Sequence, residues 1–242
     1  MIGLLREQQA LASTIQRRES LLLLGPAGSG KTALVQSLLP GTREDSPLYI
    51  PEFETPHDLL VMITRSLLRS GHKLVLRKSA SGSNWEKWLS GKTSADLKGI
   101  LWRSLEAAPR TLILDGINRA SQPTYRFLQR LYFAPGMAII VTARDRSHLG
   151  ELGRLFWDPR RTIQIQPLSN AEALQLFETA ADRYGLRRLS LEEFREKVLN
   201  SAKGNPGQIV EMCRLAANPQ YVAGNYIKFA LIRIDVMMKH LG

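Results

Sequence analysis

The chain has 242 residues, of which 44% are hydrophobic and 23% are charged, and its formal net charge is +11. This length and apolar content suffice for one α/β domain and a smaller companion domain, which argues against a disordered chain. The apolar runs are too short to cross a bilayer and no secretory signal is visible, so we expect a cytoplasmic protein without a membrane partner. A single cysteine, Cys213, excludes an internal disulfide, and four scattered histidines argue against a structural metal site.

The positive charge is spread along the chain instead of being collected in a tail, so it describes a folded surface. Such a surface attracts polyanions, and one interpretation is a DNA partner held through its phosphates. The alternative is a basic protein kept soluble by its charge. Composition does not decide between the two.

Apolar residues at helical spacing predict an amphipathic helix over residues 6–18. Strands are predicted at 20–24, 48–50, 111–114, 138–142 and 162–165, and helices between them at 32–39, 57–70, 94–107 and 124–133. The strands are continuous apolar runs joined by connections long enough for crossovers. We therefore predict a three-layer α/β fold with a parallel sheet that is covered on both faces.

Two further segments differ in composition from this pattern. Between residues 71 and 93, basic and small polar residues surround Trp85 and Trp88, which predicts an exposed insertion. After Pro167 the apolar pattern is helical only, with helices expected at 171–184, 191–202, 208–217 and 225–240. We therefore predict an α/β nucleotide-binding domain over 1–166 and a helical lid over 167–242.

A complete phosphate-binding loop follows the first strand and opens the first internal helix. It comprises Gly25, Pro26, Ala27, Gly28, Ser29, Gly30, Lys31 and Thr32, with Ala33 next along the helix. Glycines let the backbone aim its N–H groups at phosphates, and the positive end of the helix favours the same charge. Lys31 is expected to reach the β and γ phosphates of ATP, and Thr32 to ligate magnesium.

Two later strands end in residues that such a site uses. The strand at 111–114 is followed by Asp115, a carboxylate for the magnesium shell. The strand at 138–142 ends in Thr142 and is followed closely by Arg144, whose guanidinium can distinguish ATP from ADP at the γ-phosphate. The alternative for Arg144 is a surface ion pair.

These pieces in this order resemble the AAA+ superfamily of P-loop ATPases, in particular its STAND branch with the NACHT-type ATPases and the neighbouring Orc/Cdc6-like group. Residues 3–7 resemble the opening segment that packs near adenine, and residues 112–116 resemble the NACHT-type Walker B motif. Residues 142–144 resemble sensor 1, and residues 166–169 with Glu172 and Leu176 resemble the linker into the lid. In Gly204-Asn205-Pro206, the resemblance implies that Pro206 touches the base. It also implies an AAA+-type fold, ATP and magnesium as cofactors, and self-assembly.

The sequence departs from the family pattern at the positions that activate water. Family members commonly carry an acidic residue directly after the Walker B aspartate or a little beyond it, whereas this chain has Gly116, Asn118 and Arg119 there. Asn118 is a candidate for orienting water, and Glu52 or Glu54 for approaching the γ-phosphate from the neighbouring strand. Hydrolysis is therefore expected to be slow.

In the lid, Gly207 and Gln208 stand where many relatives carry an arginine, with Lys203 as a substitute cation.

The resemblance also implies an arginine finger that completes the active site of the next subunit. Arg154, Arg160 and Arg161 lie between the fourth and fifth predicted strands, where the family keeps this finger. Arg126 and Arg130, spaced by one turn on the helix after Asp115, form a second candidate pair. Arg154 and Arg160 are the preferred candidates, and each is equally a possible surface cation.

Two functions follow as hypotheses. The first is an ATP-dependent regulator that assembles on DNA and presents a surface to a recombinase, helicase or other protein effector, supported by the charge and by the basic tryptophan-bearing segment. The alternative is a purely structural role, in which Trp85 and Trp88 only pack on the core. The second hypothesis is a STAND-like signalling switch that recruits a separate effector without DNA. A metabolic kinase is disfavoured, since no acceptor-substrate motif is visible.

Overall fold

The computed structural model describes residues 2–39, 46–72, 75 and 85–239. The chain divides into two compact units. The first, called the α/β unit, comprises Arg6–Gly25 and Lys31–Gln164. The second, called the helical unit, comprises Met1–Leu5, Pro26–Gly30 and Ile165–Gly242. The middle of the phosphate loop thus groups with the C-terminal helices, whereas its first residue and its lysine belong to the α/β unit.

A five-stranded parallel sheet forms the centre of the α/β unit. Its strands are β1 Leu21–Leu24, β2 Leu48–Ile50, β3 Thr111–Leu114, β4 Ala138–Ala143 and β5 Thr162–Gln164. They are arranged in the order β2-β3-β4-β1-β5, and every neighbouring pair is parallel. The residues of β1, β3 and β4 are all buried, in agreement with their continuous apolar sequence. The predicted parallel α/β fold is confirmed.

Helices connect these strands at close to the predicted positions. They are α1 Leu5–Arg17, α2 Lys31–Ser37, α3 Pro56–Arg69, α4 Trp85–Ser90, α5 Ser94–Ala107 and α6 Gln122–Tyr132. Segments of 3-10 helix lie at Arg146–Phe156, with a kink at Gly150, and at Pro159–Arg161. Local sequence sets the start of α3 and of α5. Thr55 with Asp58, and Thr93 with Asp96, form complete capping boxes that satisfy the first backbone N–H groups.

The segment predicted as an exposed insertion contains α4, which sequence periodicity did not predict. In this segment Val75 and Leu89 are buried in the core, and Trp85 and Trp88 are partly buried against it. The described part of the segment therefore packs on the core, as the alternative interpretation of the two tryptophans expected. Lys73, Arg77, Lys78 and the serines at 79, 81 and 83 lie outside the described residues.

Among its described residues, the helical unit contains four α-helices, two short 3-10 helices at Leu186–Arg188 and Pro219–Tyr221, and one small hairpin. The helices are α7 Asn170–Arg183, α8 Glu192–Ala202, α9 Pro206–Ala216 and α10 Phe229–Lys239. Strands β6 Val222–Ala223 and β7 Tyr226–Ile227 pair antiparallel around Gly224 and Asn225. The expectation of a purely helical region starting its last helix at residue 225 was therefore wrong. Gly224, at φ +62, takes a left-handed conformation that favours a tight turn over a helix.

Aromatic and aliphatic side chains form a separate core in the helical unit. Phe194 contacts both Phe177 and Phe229, with ring centroids 5.9 and 6.2 Å away. Cys213 lies in the same core with no exposed surface, and burial raises the pKa of its thiol to about 12. Within the described ranges, no helix combines the length and the apolar content that a bilayer crossing requires.

Candidate nucleotide-binding site

The phosphate loop begins where β1 ends. Gly25 is buried, and its N–H donates to the Ala143 carbonyl at 3.3 Å, which ties the start of the loop to β4. Lys31 opens α2, and its Nζ donates to the Gly25 carbonyl at 2.6 Å, so the lysine reaches back across its own loop. Burial lowers the pKa of Lys31, Asp115 opposes this shift and Arg144 adds to it. The charges of Lys31, Asp115 and Arg144 are therefore close enough to interact.

Asp115 follows β3, and hydrogen bonds hold both its backbone and its carboxylate. Its backbone N–H donates to the Ile50 carbonyl at 2.9 Å, and its side chain is buried. Oδ2 accepts from the Tyr49 hydroxyl at 2.8 Å, and Oδ1 accepts from the Thr142 hydroxyl. Thr142 Oγ1 in turn accepts from the Gly116 N–H at 2.8 Å. Two neighbouring strands thus fix the orientation of this carboxylate.

Tyr49 is a site residue that the sequence analysis missed. It lies on β2 in register with Ile113 on β3, and Ile113 shares a face with Asp115 because side chains alternate along a strand. Burial, and then the hydrogen bond to Asp115, raises the pKa of the Tyr49 phenol, so it stays a proton donor at neutral pH. The available signal was a lone hydroxyl in a strand of otherwise aliphatic residues, but its use depends on β2 pairing with β3.

The other predicted residues of the α/β unit are accessible. Thr32 and Ala33 are exposed on the first turn of α2, and Arg144 is exposed directly after β4. A hydroxyl and a guanidinium in these positions can be approached by a ligand from solvent.

The middle of the loop is tightly packed within the helical unit. Gly28 has φ +77, and a Cβ there would lie 2.7 Å from Asn205 Oδ1, so glycine is required. Asn205 Nδ2 donates to the Ala27 carbonyl at 2.8 Å, and the Gly207 N–H donates to the Gly28 carbonyl at the same distance. A Cβ on Gly207 would lie 2.7 Å from Gly28 Cα. Two loop carbonyls are thus held by the start of α9.

The sequence analysis assigned Pro206 a role but not its two neighbours. Asn205 and Gly207 are the residues that bind the loop carbonyls, and the close backbone approach at Gly207 leaves no space for a side chain there.

A pocket of about 270 Å³ in the helical unit contains the predicted base-contacting residue. Pro206 lines it together with Pro26 of the loop, and Ile165 and Pro167 contribute further apolar surface. Ser29 and Gln208 are among its polar lining groups. Lys203 also lines the pocket, so apolar walls and polar groups are combined, as in sites that bind a heterocyclic base.

The positions proposed for water activation differ in their surroundings. Asn118 is exposed, two residues beyond Gly116. Gly116 lies beside β2: a Cβ at that position would be 3.9 Å from the Cβ of Glu52. Glu52, two residues after the end of β2, is therefore the acidic residue beside Gly116.

The two preferred finger candidates both lie in the segment between β4 and β5. Arg154 pairs with Glu151 at 2.7 Å, and its side chain is 73% exposed. Arg160 makes two hydrogen bonds of 3.1 Å to Asp158, through Nε and Nη2. Both side chains are exposed, and each guanidinium is paired with an acid close by in sequence.

The residues fit a nucleotide and a divalent cation. The loop offers backbone N–H groups and Lys31 to phosphates, and Asp115 with the Thr32 hydroxyl offers the oxygen ligands that magnesium prefers. The 270 Å³ pocket with Pro26 and Pro206 offers apolar walls to a base.

A phosphate loop between a buried strand and a helix, together with an aspartate that ends another strand of the same parallel sheet, defines the class of P-loop ATPases. The profile of the AAA domain family matches residues 14–145, which is more than half of the chain. The chain belongs to this family. A comparison with curated proteins gives no match.

Solved structures with this fold include two archaeal ATPases. A Walker-type ATPase of Pyrococcus abyssi superposes with a TM-score of 0.67 at 14% identity, covering 100% of this chain and 73% of that chain. A Signal Transduction ATPase with Numerous Domains (STAND) protein of Pyrococcus horikoshii, which carries a tetratricopeptide repeat sensor, superposes with a TM-score of 0.54 at 17% identity. That alignment covers 99% of this chain and 32% of that chain. At these identities the likeness concerns the fold, which is the AAA+-type P-loop fold predicted from the sequence.

Proposed function

We propose that this protein is a magnesium-dependent ATPase switch that assembles with ATP and regulates a protein partner on DNA. The observation that carries the proposal is the arrangement of Lys31 and Asp115 in the α/β unit. The lysine starts the helix after the phosphate loop, the aspartate is aligned by Tyr49 and Thr142, and the two charges interact. Buried and mutually oriented charged groups of this kind are typical of functional sites.

In this proposal the loop N–H groups and Lys31 bind the phosphates, and Thr32 and Asp115 hold magnesium. Bound magnesium would neutralise charge on the phosphates. Arg144 contacts the γ-phosphate with fixed donors and so separates ATP from ADP. Pro206 and Pro26 enclose the base.

For hydrolysis we propose Glu52 as the group that accepts a hydrogen bond from the attacking water. Gly116 leaves space where relatives carry an acid, and Glu52 lies beside that space. Asn118 contributes orientation without accepting a proton. A carboxylate supplied from the segment after β2 would work at a less ideal geometry, so turnover is slow.

The hydrogen bonds of Asn205 and Gly207 support a switch. They join the loop carbonyls to α9, so a change in loop conformation requires these bonds to adjust. A nucleotide that binds two loop conformations with different affinity shifts their populations.

Self-assembly is supported by the surface between β4 and β5. Trp157 is 79% exposed and is flanked in sequence by Arg154 and Arg160. Exposed tryptophan and arginine are enriched where interfaces gain most of their energy. We propose that this surface meets the next subunit, with Arg154 or Arg160 completing its site.

Calorimetric titration with ATP and magnesium tests the nucleotide site. The parent protein should bind. Lys31→Ala should lose binding because the cation expected to reach the β and γ phosphates is removed, and Asp115→Ala should lose the magnesium dependence. If Asp115→Ala binds and turns over ATP like the parent, the magnesium assignment is wrong.

A STAND-like switch that recruits an effector without DNA is the second candidate, favoured by the contacts of Asn205 and Gly207 with the loop. Binding to random duplex DNA separates the two candidates. At about 50 mM salt, where phosphate contacts are strongest, the first predicts binding that falls steeply with salt and the second predicts none.

A further inference from the structure

A second pocket of the α/β unit, with a volume of about 480 Å³, shares no residue with the candidate nucleotide site. All of its lining residues come from α5 and α6, and none of them is acidic. Lys98 and Trp102 are one turn apart on α5, and Arg126 and Arg130 are one turn apart on α6. Two helices thus present three cations around one concave surface. We call it the cationic pocket.

Within the part of the chain that the structure describes, none of the three cations forms an ion pair. Seven other arginines of the described residues are paired with acids, in contrast to Lys98, Arg126 and Arg130. Like charges placed together repel each other, and an anionic ligand removes that cost. The charge of the pocket therefore selects an anion.

The geometry of Arg130 narrows the class of anion. Its guanidinium carbon lies 3.6 Å from the centroid of the Trp102 ring, which is stacking distance. This contact restricts the guanidinium, and a guanidinium can form a bidentate bond to phosphate through its N–H groups. The buried Phe127 adds apolar surface to the same pocket. A ligand that carries a phosphate next to a planar base, as a nucleotide unit does, complements these cationic and apolar groups.

We propose that the cationic pocket binds the phosphodiester backbone of nucleic acid, with Arg126, Arg130 and Lys98 as its phosphate ligands. This proposal rests on the proposed DNA function and names the surface that performs it. In this proposal Arg126 and Arg130, the second candidate pair for an arginine finger, contact DNA instead of a neighbouring subunit.

The test is fluorescence anisotropy with short labelled oligonucleotides, single-stranded and duplex, over a series of salt concentrations. The double variant Arg126→Ala with Arg130→Ala should weaken binding about tenfold and reduce the salt slope by about 0.7 to 0.9 for each lost contact. Lys98→Glu, which leaves the Arg130 stack intact, should also weaken binding. The difference between the two oligonucleotides identifies which form supplies the backbone.

The matched control is Arg183→Ala with Arg188→Ala, two exposed arginines of the helical unit, which should retain the parent slope. Thermal unfolding checks that the variants fold. If the parent binds DNA and the pocket variants keep its affinity and slope, the pocket proposal is wrong while the DNA function stands. If the parent does not bind DNA, the DNA function is wrong and the pocket assignment fails with it. Binding of poly-glutamate instead of DNA, or loss of ATP turnover with unchanged DNA binding, would also overturn the proposal.

Discussion

Asp115 accepts hydrogen bonds from two hydroxyl groups, so the direction of its carboxylate is set before any metal arrives. Groups that orient a metal ligand matter almost as much as the ligand, since a misdirected oxygen cannot complete the coordination shell. This makes Tyr49, which the sequence did not single out, as informative to mutate as Asp115.

Tyr49→Phe should retain ATP binding and raise the magnesium concentration needed for half-maximal turnover by about tenfold or more. The physical reason is that Asp115 Oδ2 loses its only described hydroxyl donor while the ring keeps its packing. Tyr125→Phe is the control, because Tyr125 accepts a hydrogen bond from Gln129 on the surface of α6. An unchanged magnesium profile in Tyr49→Phe would contradict the orienting role.

Glu52→Gln tests the source of the hydrolytic carboxylate. We expect unchanged ATP affinity and a fall in turnover of about a hundredfold, the usual size of a general-base contribution. Glu54→Gln, two residues further from β2, should behave like the parent. Equal turnover in Glu52→Gln and the parent would exclude Glu52 and leave orientation by Asn118.

At this scale the sequence predicted Lys31, Thr32 and Asp115, because each belongs to a local pattern of strand, loop and helix. It could not predict that Tyr49 and Thr142 share one carboxylate. Those contacts depend on which strands are neighbours, and strand order is set by tertiary packing instead of by any local signal.

At the scale of elements, helix α9 begins against the phosphate loop with almost no space between the two backbones. Gly207→Ala introduces a Cβ 2.7 Å from Gly28 Cα, so α9 or the loop must shift. We expect weaker nucleotide binding and a lower melting temperature, even though alanine favours a helix over glycine.

Gly99→Ala is the matched substitution in a helix with free space. Its Cβ would approach only Arg103 Nη2, at 3.9 Å, so alanine should stabilise α5 by up to about 1 kcal/mol. Thermal unfolding of the two variants should therefore shift in opposite directions. A stabilised Gly207→Ala protein with normal ATP affinity would show that the loop and α9 are not in close contact in solution.

Helix and strand positions were predictable wherever the periodicity was long or the apolar run was continuous, as for α3, α5 and β4. The short hairpin β6–β7 was not, because two-residue strands have no periodicity and only Gly224 and Asn225 mark the turn. Helix α4 was hidden by the basic and polar residues that surround its single buried leucine.

For the whole molecule, the central expectation is that one subunit completes the site of another. Arg154 is held by one ion pair with Glu151, and exposed pairs of this type contribute little. Arg160 is held by two hydrogen bonds to Asp158 and is less free to turn toward a neighbour. We therefore expect Arg154 to be the finger.

Mixing inactive variants tests this expectation. Lys31→Ala and Arg154→Ala should each lower turnover, the second by up to about 10³-fold. A mixture should recover part of the activity, because a Lys31→Ala subunit supplies its arginine to the intact loop of its partner. Arg160→Ala is the comparison. No recovery in the mixture, with assembly by ATP intact in light scattering, would contradict a finger supplied by Arg154.

The sequence could suggest self-assembly only through family resemblance, since an arginine on an irregular segment has no local pattern that separates a finger from a surface cation. The structure adds one observation, which is that the side chain of Trp157, three residues after Arg154, is exposed.

Because Cys213 is buried, the reactivity of its thiol reports how often the core of the helical unit opens. With a pKa of about 12 and no exposed surface, the thiol stays protonated and shielded at neutral pH, so alkylating reagents can reach it only when that core opens. The rate of iodoacetamide labelling, followed by mass spectrometry, then reports the opening free energy of these helices alone. If ATP tightens them, labelling slows in its presence, and the Gly207→Ala protein should lose that protection.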